Sequence, residues 1–290
     1  MMIEIKNVSK AFRRTPVLDD LSLGIERGER IALVGSNGAG KTTLIRCLLG
    51  EYTHDGSITV DGVSPRKDRS GVLSRIGFVP QLPPPLGMPV GELIRFSSGV
   101  TGTDPARIEQ LTERLGLELE PIRNRPFVKL SGGQKQKLLI GIALGRDTDI
   151  LVLDEPAANL DPSARATLFE LLAERPEATM LISSHRLDEV APLVNRVIEL
   201  DLGKIVLDDR VADEIDLTGV LLCRITIGRP EEAFAKTIAQ WGFVNGGDGT
   251  RWTGRVVGPD RLRFLGTLSR YAGLVTSLVL EERPEERDAK

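Results

Sequence analysis

Residues 35–43 read Gly-Ser-Asn-Gly-Ala-Gly-Lys-Thr-Thr, which fits the pattern G-x-x-x-x-G-K-[ST] at every fixed position. This segment constrains the fold more than any other because its flanks agree with it. Arg30–Val34 is a short apolar run with strand character, and Thr43–Leu49 carries a helical pattern. Strand, glycine-rich turn and helix in that order build a cradle for phosphate. Gly35, Gly38 and Gly40 lack Cβ atoms, so the loop can curl with its N–H groups inward, those of Ser36, Asn37 and Ala39 among them. The N-terminus of the following helix adds to the anion site. Lys41 supplies a point charge for the β- and γ-phosphates, and the Thr42 hydroxyl suits Mg²⁺.

A chain of 290 residues has room for one large domain plus a small one. Its 38 Lys and Arg against 41 Asp and Glu give a net charge of −3, without the basic balance of a nucleic-acid binder. The basic run over Arg123–Lys137 reads as a solvated face. Two cysteines, Cys47 and Cys223, lie far apart and in no metal or redox spacing. Cys47 falls in the helix after the loop and reads as a small core residue, which suits a reducing, cytoplasmic setting. The N-terminal Met-Met-Ile-Glu-Ile-Lys has no signal-peptide pattern. No apolar run approaches the roughly 20 residues that span a bilayer. If the protein works at a membrane, another chain supplies the membrane part.

Strand and helix signals alternate over about the first 210 residues, implying α/β layers. Strands are expected at Ile3–Val8, Val17–Ile25, Ser57–Val60, Arg75–Val79, Ile150–Leu153 and Thr179–Ile182, with a hairpin over Val197–Leu207. Pro80–Pro85 cannot be regular helix or central strand. Val90 to Gly145 is helical, with a break at Asn124–Lys129. The pattern then changes. A large domain over 1–212 is followed by an acidic linker at 213–219, a small unit at 220–281 and a charged tail at 282–290 expected to be disordered. In the small unit Leu221, Cys223, Ile225 and Ile227 share one strand face. Phe234, Ile238 and Trp241 form a helical stripe, as do Leu262, Leu265 and Leu268. The order β-α-β-β-α-β suggests a small α+β, ferredoxin-like sandwich.

Further motifs follow in fixed order. Leu130-Ser131-Gly132-Gly133-Gln134 opens a helix, and Ser131 with Gln134 matches a capping box. That alone is a structural explanation, but the paired glycines also permit close backbone approach to a ligand. Ile150–Leu153 ends in Asp154-Glu155, an acidic pair where α/β sheets bind ligands. Asn159-Leu160-Asp161 and Ser183-Ser184-His185 come after it.

With these residues in place, the chain resembles the nucleotide-binding subunits of ABC transporters over about residues 1–210. The resemblance implies an ABC-type P-loop NTPase fold, α/β with a helical signature subdomain, and an ATPase that uses ATP and Mg²⁺. It implies that Gly35 to Thr43 hold the phosphates, with Thr42, Gln81 and Asp154 serving the metal. Glu155 would activate the attacking water, while His185 and Lys41 contact the γ-phosphate. Phe12 falls where the family stacks an aromatic ring on adenine, although a core role is equally open. Gln81 would also sense the membrane partner. Ser131, Gly132, Gly133 and Gln134 would bind ATP held by a second subunit, and Asp161 would meet that subunit. The site is therefore composite, in a homodimer or pseudo-dimer. Lys137 stands where the family more often has arginine.

The implied partners are transmembrane permease subunits, which would hold the chain peripherally at the inner face of the cell membrane. The exporter-like, ABC-2 type branch fits best, a single ATPase domain with a short C-terminal extension. Pro83–Pro89 lies where the family docks on its membrane partner, or is a rigid loop and nothing more. A soluble ribosome-associated ATPase usually carries two such domains in one chain. A repair-type ATPase needs long coiled coils where this chain has about 90 residues and no sustained heptads. The small C-terminal unit contains no catalytic motif. It is either a regulator or a packing module.

Overall fold

Two sheets of different kinds build the first of two units, Met1–Val211, in this computed structural model. The structure describes residues 1–185, 187–210, 220–257, 264, 267–268, 271 and 273–283. The chain starts with β1 (Ile3–Phe12), β2 (Thr15–Ile25), β3 (Arg30–Val34), α1 (Lys41–Leu48), β4 (Asp55–Val60), α2 (Arg69–Ser74) and β5 (Ile76–Val79). A helical stretch follows: α3 (Val90–Thr101), α4 (Pro105–Arg114) and α5 (Gly132–Gly145). The unit closes with β6 (Ile150–Asp154), α6 (Pro162–Ala173), β7 (Thr179–Ser183), α7 (Leu187–Val190), β8 (Arg196–Asp201) and β9 (Lys204–Arg210).

β2-β1-β4 form an antiparallel sheet, and the larger sheet runs β5-β6-β7-β3-β8-β9, parallel except for its β9 edge. Every residue of β6 and β7 is buried, as central parallel strands with covered faces require. One core joins the small sheet and α1 to one face of the large sheet, through Ile5, Leu18, Leu44, Ile45, Ile150 and Val152. The other face is covered by Leu144, Leu168 and Leu171, which pack on Leu151, Leu153 and Ile182. Cys47 is fully buried as expected, and burial pushes its thiol up to about 11.

Local chemistry sets the element ends. Pro105 opens α4 behind the Asp104 cap, which accepts from Ala106 N. Gly102 closes α3 in the left-handed region at φ 71°. The β8–β9 turn places Leu202 and Gly203 at φ 46° and 80°, the signs a two-residue hairpin turn favours. Helix is interrupted over a longer stretch than the sequence suggests, with only short 3₁₀ turns at Glu120–Ile122 and Phe127–Lys129 between α4 and α5.

The second unit, Ala212–Lys290, holds β10 (Val220–Ile227), α8 (Glu232–Ala239), β11 (Val244–Asn245), β12 (Arg251–Val257) and β13 (Val275–Arg283). Its sheet order is β11-β12-β10-β13 with every neighbouring pair antiparallel. Cys223, Ile225, Ile227, Phe234, Ile238 and Trp252 build its core. β13 runs to Arg283, two residues into the segment expected as a disordered tail, because it stays in register with β10 as far as Val220. The expected linker, Leu262 and Leu265 lie outside the described residues, while Phe264, Thr267 and Leu268 are helical.

Where α4 meets α5, Gly141 leaves no room for a side chain. A Cβ there would run into Oγ1 of Thr112, itself fully buried and donating to Ile108 O at 2.7 Å. Gly141→Ala should therefore destabilise the protein by about 1–3 kcal/mol in chemical denaturation, the usual range for overpacking. Adding Thr112→Ala should recover part of that loss. A midpoint unchanged by Gly141→Ala would contradict this packing.

Candidate nucleotide site

Strand register assembles the site. Leu33 of β3 stands opposite Ser183 of β7, and Ser183 stands opposite Asp154 of β6. Neighbouring strands lie about 4.8 Å apart, so the loops leaving these three strand ends share one edge of the sheet. That edge is the carboxyl end, where open α/β sheets bind ligands.

The loop after β3 wraps inward. Gly35 and Gly40 sit at φ 147° and 111°, and a Cβ on either would strike backbone oxygen, of Leu200 and Val17 respectively. Lys41 is buried and donates from Nζ to Gly35 O at 2.6 Å and Ser36 O at 3.2 Å. Its charge is thus threaded back across the loop. No side chain caps the N-terminus of α1, so its first-turn amides are left for another acceptor. A cleft of about 300 Å³ is lined by Val17, Asn37, Gly38, Ala39, Gly40, Lys41, Thr42, Thr43, Gln81 and Glu155. Most of the expected phosphate-loop residues, Gln81 and Glu155 therefore meet in one place. Gly35 and Ser36 do not line the cleft and meet Lys41 through their carbonyls.

Asp154 is 2% exposed and accepts from Ser183 Oγ at 2.6 Å. The same Oγ accepts from Glu155 N at 2.9 Å. Glu155 adopts φ 50°, unusual for a residue with a Cβ. Its Oε2 lies 2.7 Å from Nδ1 of His185. An ionised carboxylate can only accept, so Nδ1 carries the proton in that bond. Asp154, Ser183, Glu155 and His185 form one hydrogen-bonded chain beside the phosphate loop.

Phe12 closes β1 with its ring 41% exposed, which excludes a core role. Ser131, Gly132, Gly133, Gln134 and Asp161 do not line the cleft. Ser131 and Gln134 complete the capping box at the start of α5, with bonds of 3.2 and 3.0 Å. Gly133 packs so closely on Asn159 that a Cβ would sit 3.0 Å from its carbonyl oxygen. Gln136 donates to Pro156 O at 3.1 Å. Asp161 caps α6 and pairs with Lys137 at 2.8 Å, and these contacts, Lys137 first, hold its carboxyl below the usual range. Sequence reasoning placed Asp161 at a subunit boundary and missed this bond within the chain. It also missed Ser183, whose role becomes visible only once β7 is known to lie between β3 and β6.

Comparison with known proteins bears on the family and the fold. The ABC transporter family model matches residues 18–158. The energy-coupling factor transporter ATP-binding protein EcfA2 of Methanospirillum hungatei is 34% identical over 245 residues, covering 81% of this chain and 57% of that protein. The chain therefore spans little more than half the length of that relative. Nod factor export ATP-binding protein I of Cupriavidus pinatubonensis is 35% identical, with 74% of this chain and 68% of that protein covered. A solved ATP-binding subunit of an ABC transporter superposes with a TM-score of 0.66 at 27% identity, covering 73% of this chain and 91% of that one.

Ser183 is the joint of the hydrogen-bonded chain. Ser183→Ala should leave the Glu155 N–H and one Asp154 oxygen without their buried partner, at a cost of about 1–3 kcal/mol. Urea denaturation measures this directly, and an unshifted midpoint would show that Ser183 does not hold the two carboxylates' backbone in place.

Proposed function

The chain belongs to the ABC transporter family of ATP-binding proteins, and we propose that it hydrolyses Mg-ATP to drive transport through separate permease subunits. The observation that carries the proposal is the placement of Glu155, bonded to His185, in the wall of the cleft that holds Lys41 and Thr42.

The residues present fit a magnesium ion. Among the described residues no group of three His, Cys, Asp or Glu side chains is placed to hold a metal by itself. Mg²⁺ typically keeps several waters and binds one or two carboxylates plus substrate phosphates, and Asp154, Thr42 and Gln81 supply that reduced donor set. When bound, the ion would neutralise charge developing on the phosphates. Lys41 and the loop amides bind the triphosphate and orient it. Glu155 takes the proton from the attacking water. His185 holds the Glu155 carboxylate in place through Nδ1–H, and in its imidazolium form Nε2–H donates to the γ-phosphate oxygen.

Ser131, Gly132, Gly133 and Gln134 lie away from this cleft in their own chain. They serve the ATP of a second subunit, and Asp161 approaches that subunit, so two chains or two homologous domains enclose each nucleotide. ATP closes the dimer because it touches both halves, and hydrolysis removes the shared contact. No described helix is long and apolar enough to cross a membrane, and permease subunits supply the spanning part. That arrangement places the chain at the inner membrane face. A relative named for Nod factor export favours the exporter-like branch. The relatives' names, transporter ATP-binding protein and export ATP-binding protein, favour transport over a soluble ribosome- or repair-associated role.

The second unit is proposed as a ferredoxin-like regulator. Its support is the order β11-β12-β10-β13 with wholly antiparallel pairing, the arrangement a βαββαβ chain gives when its two halves interleave.

Glu155→Gln should retain ATP binding and lower turnover about 10²–10⁴-fold, the usual contribution of a general base. Size-exclusion chromatography with Mg-ATP should then show a trapped dimer, and wild-type turnover would refute the role. Lys41→Ala should weaken nucleotide binding itself by about 10–100-fold. Ser131→Arg should leave monomer binding intact and abolish turnover.

Ending the chain after Asp216 tests the regulator. The truncated protein should still hydrolyse ATP, with a changed rate or changed dimerisation. Loss of solubility and nucleotide binding together would reduce the second unit to a packing module.

A further inference from the structure

Next to the end of β1 lies a cluster of side chains outside the phosphate cleft, anchored where Tyr52 packs against the first core. Phe12 and Tyr52 meet edge to face, with ring centroids 5.2 Å apart and planes at 80°. Lys10 Nζ stands 5.0 Å from the Phe12 centroid and 5.8 Å from that of Tyr52, and lies 3.5 Å from Thr53 Oγ1. Arg46, in the last turn of α1, donates to the Tyr52 hydroxyl at 2.9 Å, with its guanidinium carbon 5.5 Å from the Tyr52 ring. Glu51 lies 4.0 Å from Arg46 Nε. The chain of contacts therefore runs from α1, the helix that starts at the phosphate loop, out to the exposed Phe12 ring.

An exposed aromatic ring on a hairpin end ordinarily samples several rotamers. This one is held by a ring edge and a cation, contacts worth roughly 0.5–1.5 and 0.5–1 kcal/mol respectively in general. Holding it costs entropy that no core contact recovers, since the ring remains 41% exposed. A ring fixed in position yet left open is suited to receive a flat partner. Val17, two residues along β2 from Thr15, the partner of Phe12 in the hairpin, already lines the phosphate cleft, so a nucleotide with its phosphates there can reach the hairpin with its base.

We propose that Tyr52 and Lys10 are positioning residues that hold Phe12 for stacking on the nucleotide base, with Arg46 fixing Tyr52 from α1. This rests on the nucleotide-hydrolase reading of the cleft and on Phe12 as its base platform. It assigns the affinity for the base, as distinct from the triphosphate, to a cluster that touches no phosphate.

The test compares binding of Mg-ATP with binding of Mg-tripolyphosphate, which has no base, to the full chain by calorimetry. Tyr52→Ala should raise the Kd for ATP about five- to tenfold and leave that for tripolyphosphate unchanged. Tripolyphosphate binding also reports that the variant is folded. Tyr52→Phe keeps the ring against Phe12 and should retain most of the ATP affinity. Lys10→Met should raise the Kd for ATP about threefold, again without effect on tripolyphosphate. Unchanged ATP binding in Tyr52→Ala overturns the proposal, and so does an equal loss for both ligands. Lys41→Ala separates the two readings. If it weakens both ligands while Phe12→Ala weakens neither, the cleft stands as a phosphate site and the base platform is wrong.

Discussion

The register of three buried parallel strands is the constraint on which the rest of this molecule depends. Along β6 the side chains alternate between two cores, Ile150 and Val152 into one and Leu151 and Leu153 into the other. β7 divides the same way, with Leu181 on one side and Met180 and Ile182 on the other, and β3 places Leu33 with the first group and Ala32 with the second. A slip of one residue would send every one of these to the wrong face. The apolar pattern therefore fixes the polar one. Asp154 and Ser183 continue the parity of Val152 and Leu181, and arrive opposite each other at the strand ends.

This explains which parts of the site can be read from sequence. The phosphate loop is local, since its glycines, lysine and threonine lie within nine residues and its flanks declare a strand and a helix. Asp154 and Glu155 are legible because an apolar run ends on them. Ser183 is not, because its bonds depend on which strand lies beside which, and spacing along the chain does not encode the order β6-β7-β3. Gln136 and Lys137 are hidden for a related reason. With Gly133 they share one face of α5, three and four residues on, and that face meets residues 156–161 only after folding. In the second unit Cys223, Ile225 and Ile227 gave away their strand by alternation. The end of β13 did not show, because Glu281, Glu282 and Arg283 read as a charged tail until their pairing with β10 is seen.

The Glu155 backbone shows how fold and chemistry are linked. A left-handed conformation at a residue with a Cβ costs of order 1–3 kcal/mol and persists only where its surroundings impose it. Here the imposing group is Ser183, whose hydroxyl accepts from the Glu155 N–H while donating to Asp154. The turn ends the strand abruptly and sends the Glu155 carboxylate into the cleft wall. Consecutive carboxylates thus point to different tasks, one buried against a hydroxyl and one beside His185. Two acidic residues in sequence become two distinct chemical environments through one shared hydrogen-bond partner.

The helix that starts at Gly132 is fixed by equally local means. Its capping box satisfies both Ser131 and Gln134 within the chain, and the close approach of Gly133 to Asn159 leaves its N-terminus exposed but not free to wander. Lys41 imposes a matching order on the phosphate loop through two loop carbonyls. One chain thus carries two preformed surfaces, one lining the cleft and one turned elsewhere. Among the residues of the second surface, none lines the cleft that holds Lys41. The proposal of a site shared between two chains or two homologous domains starts from that separation.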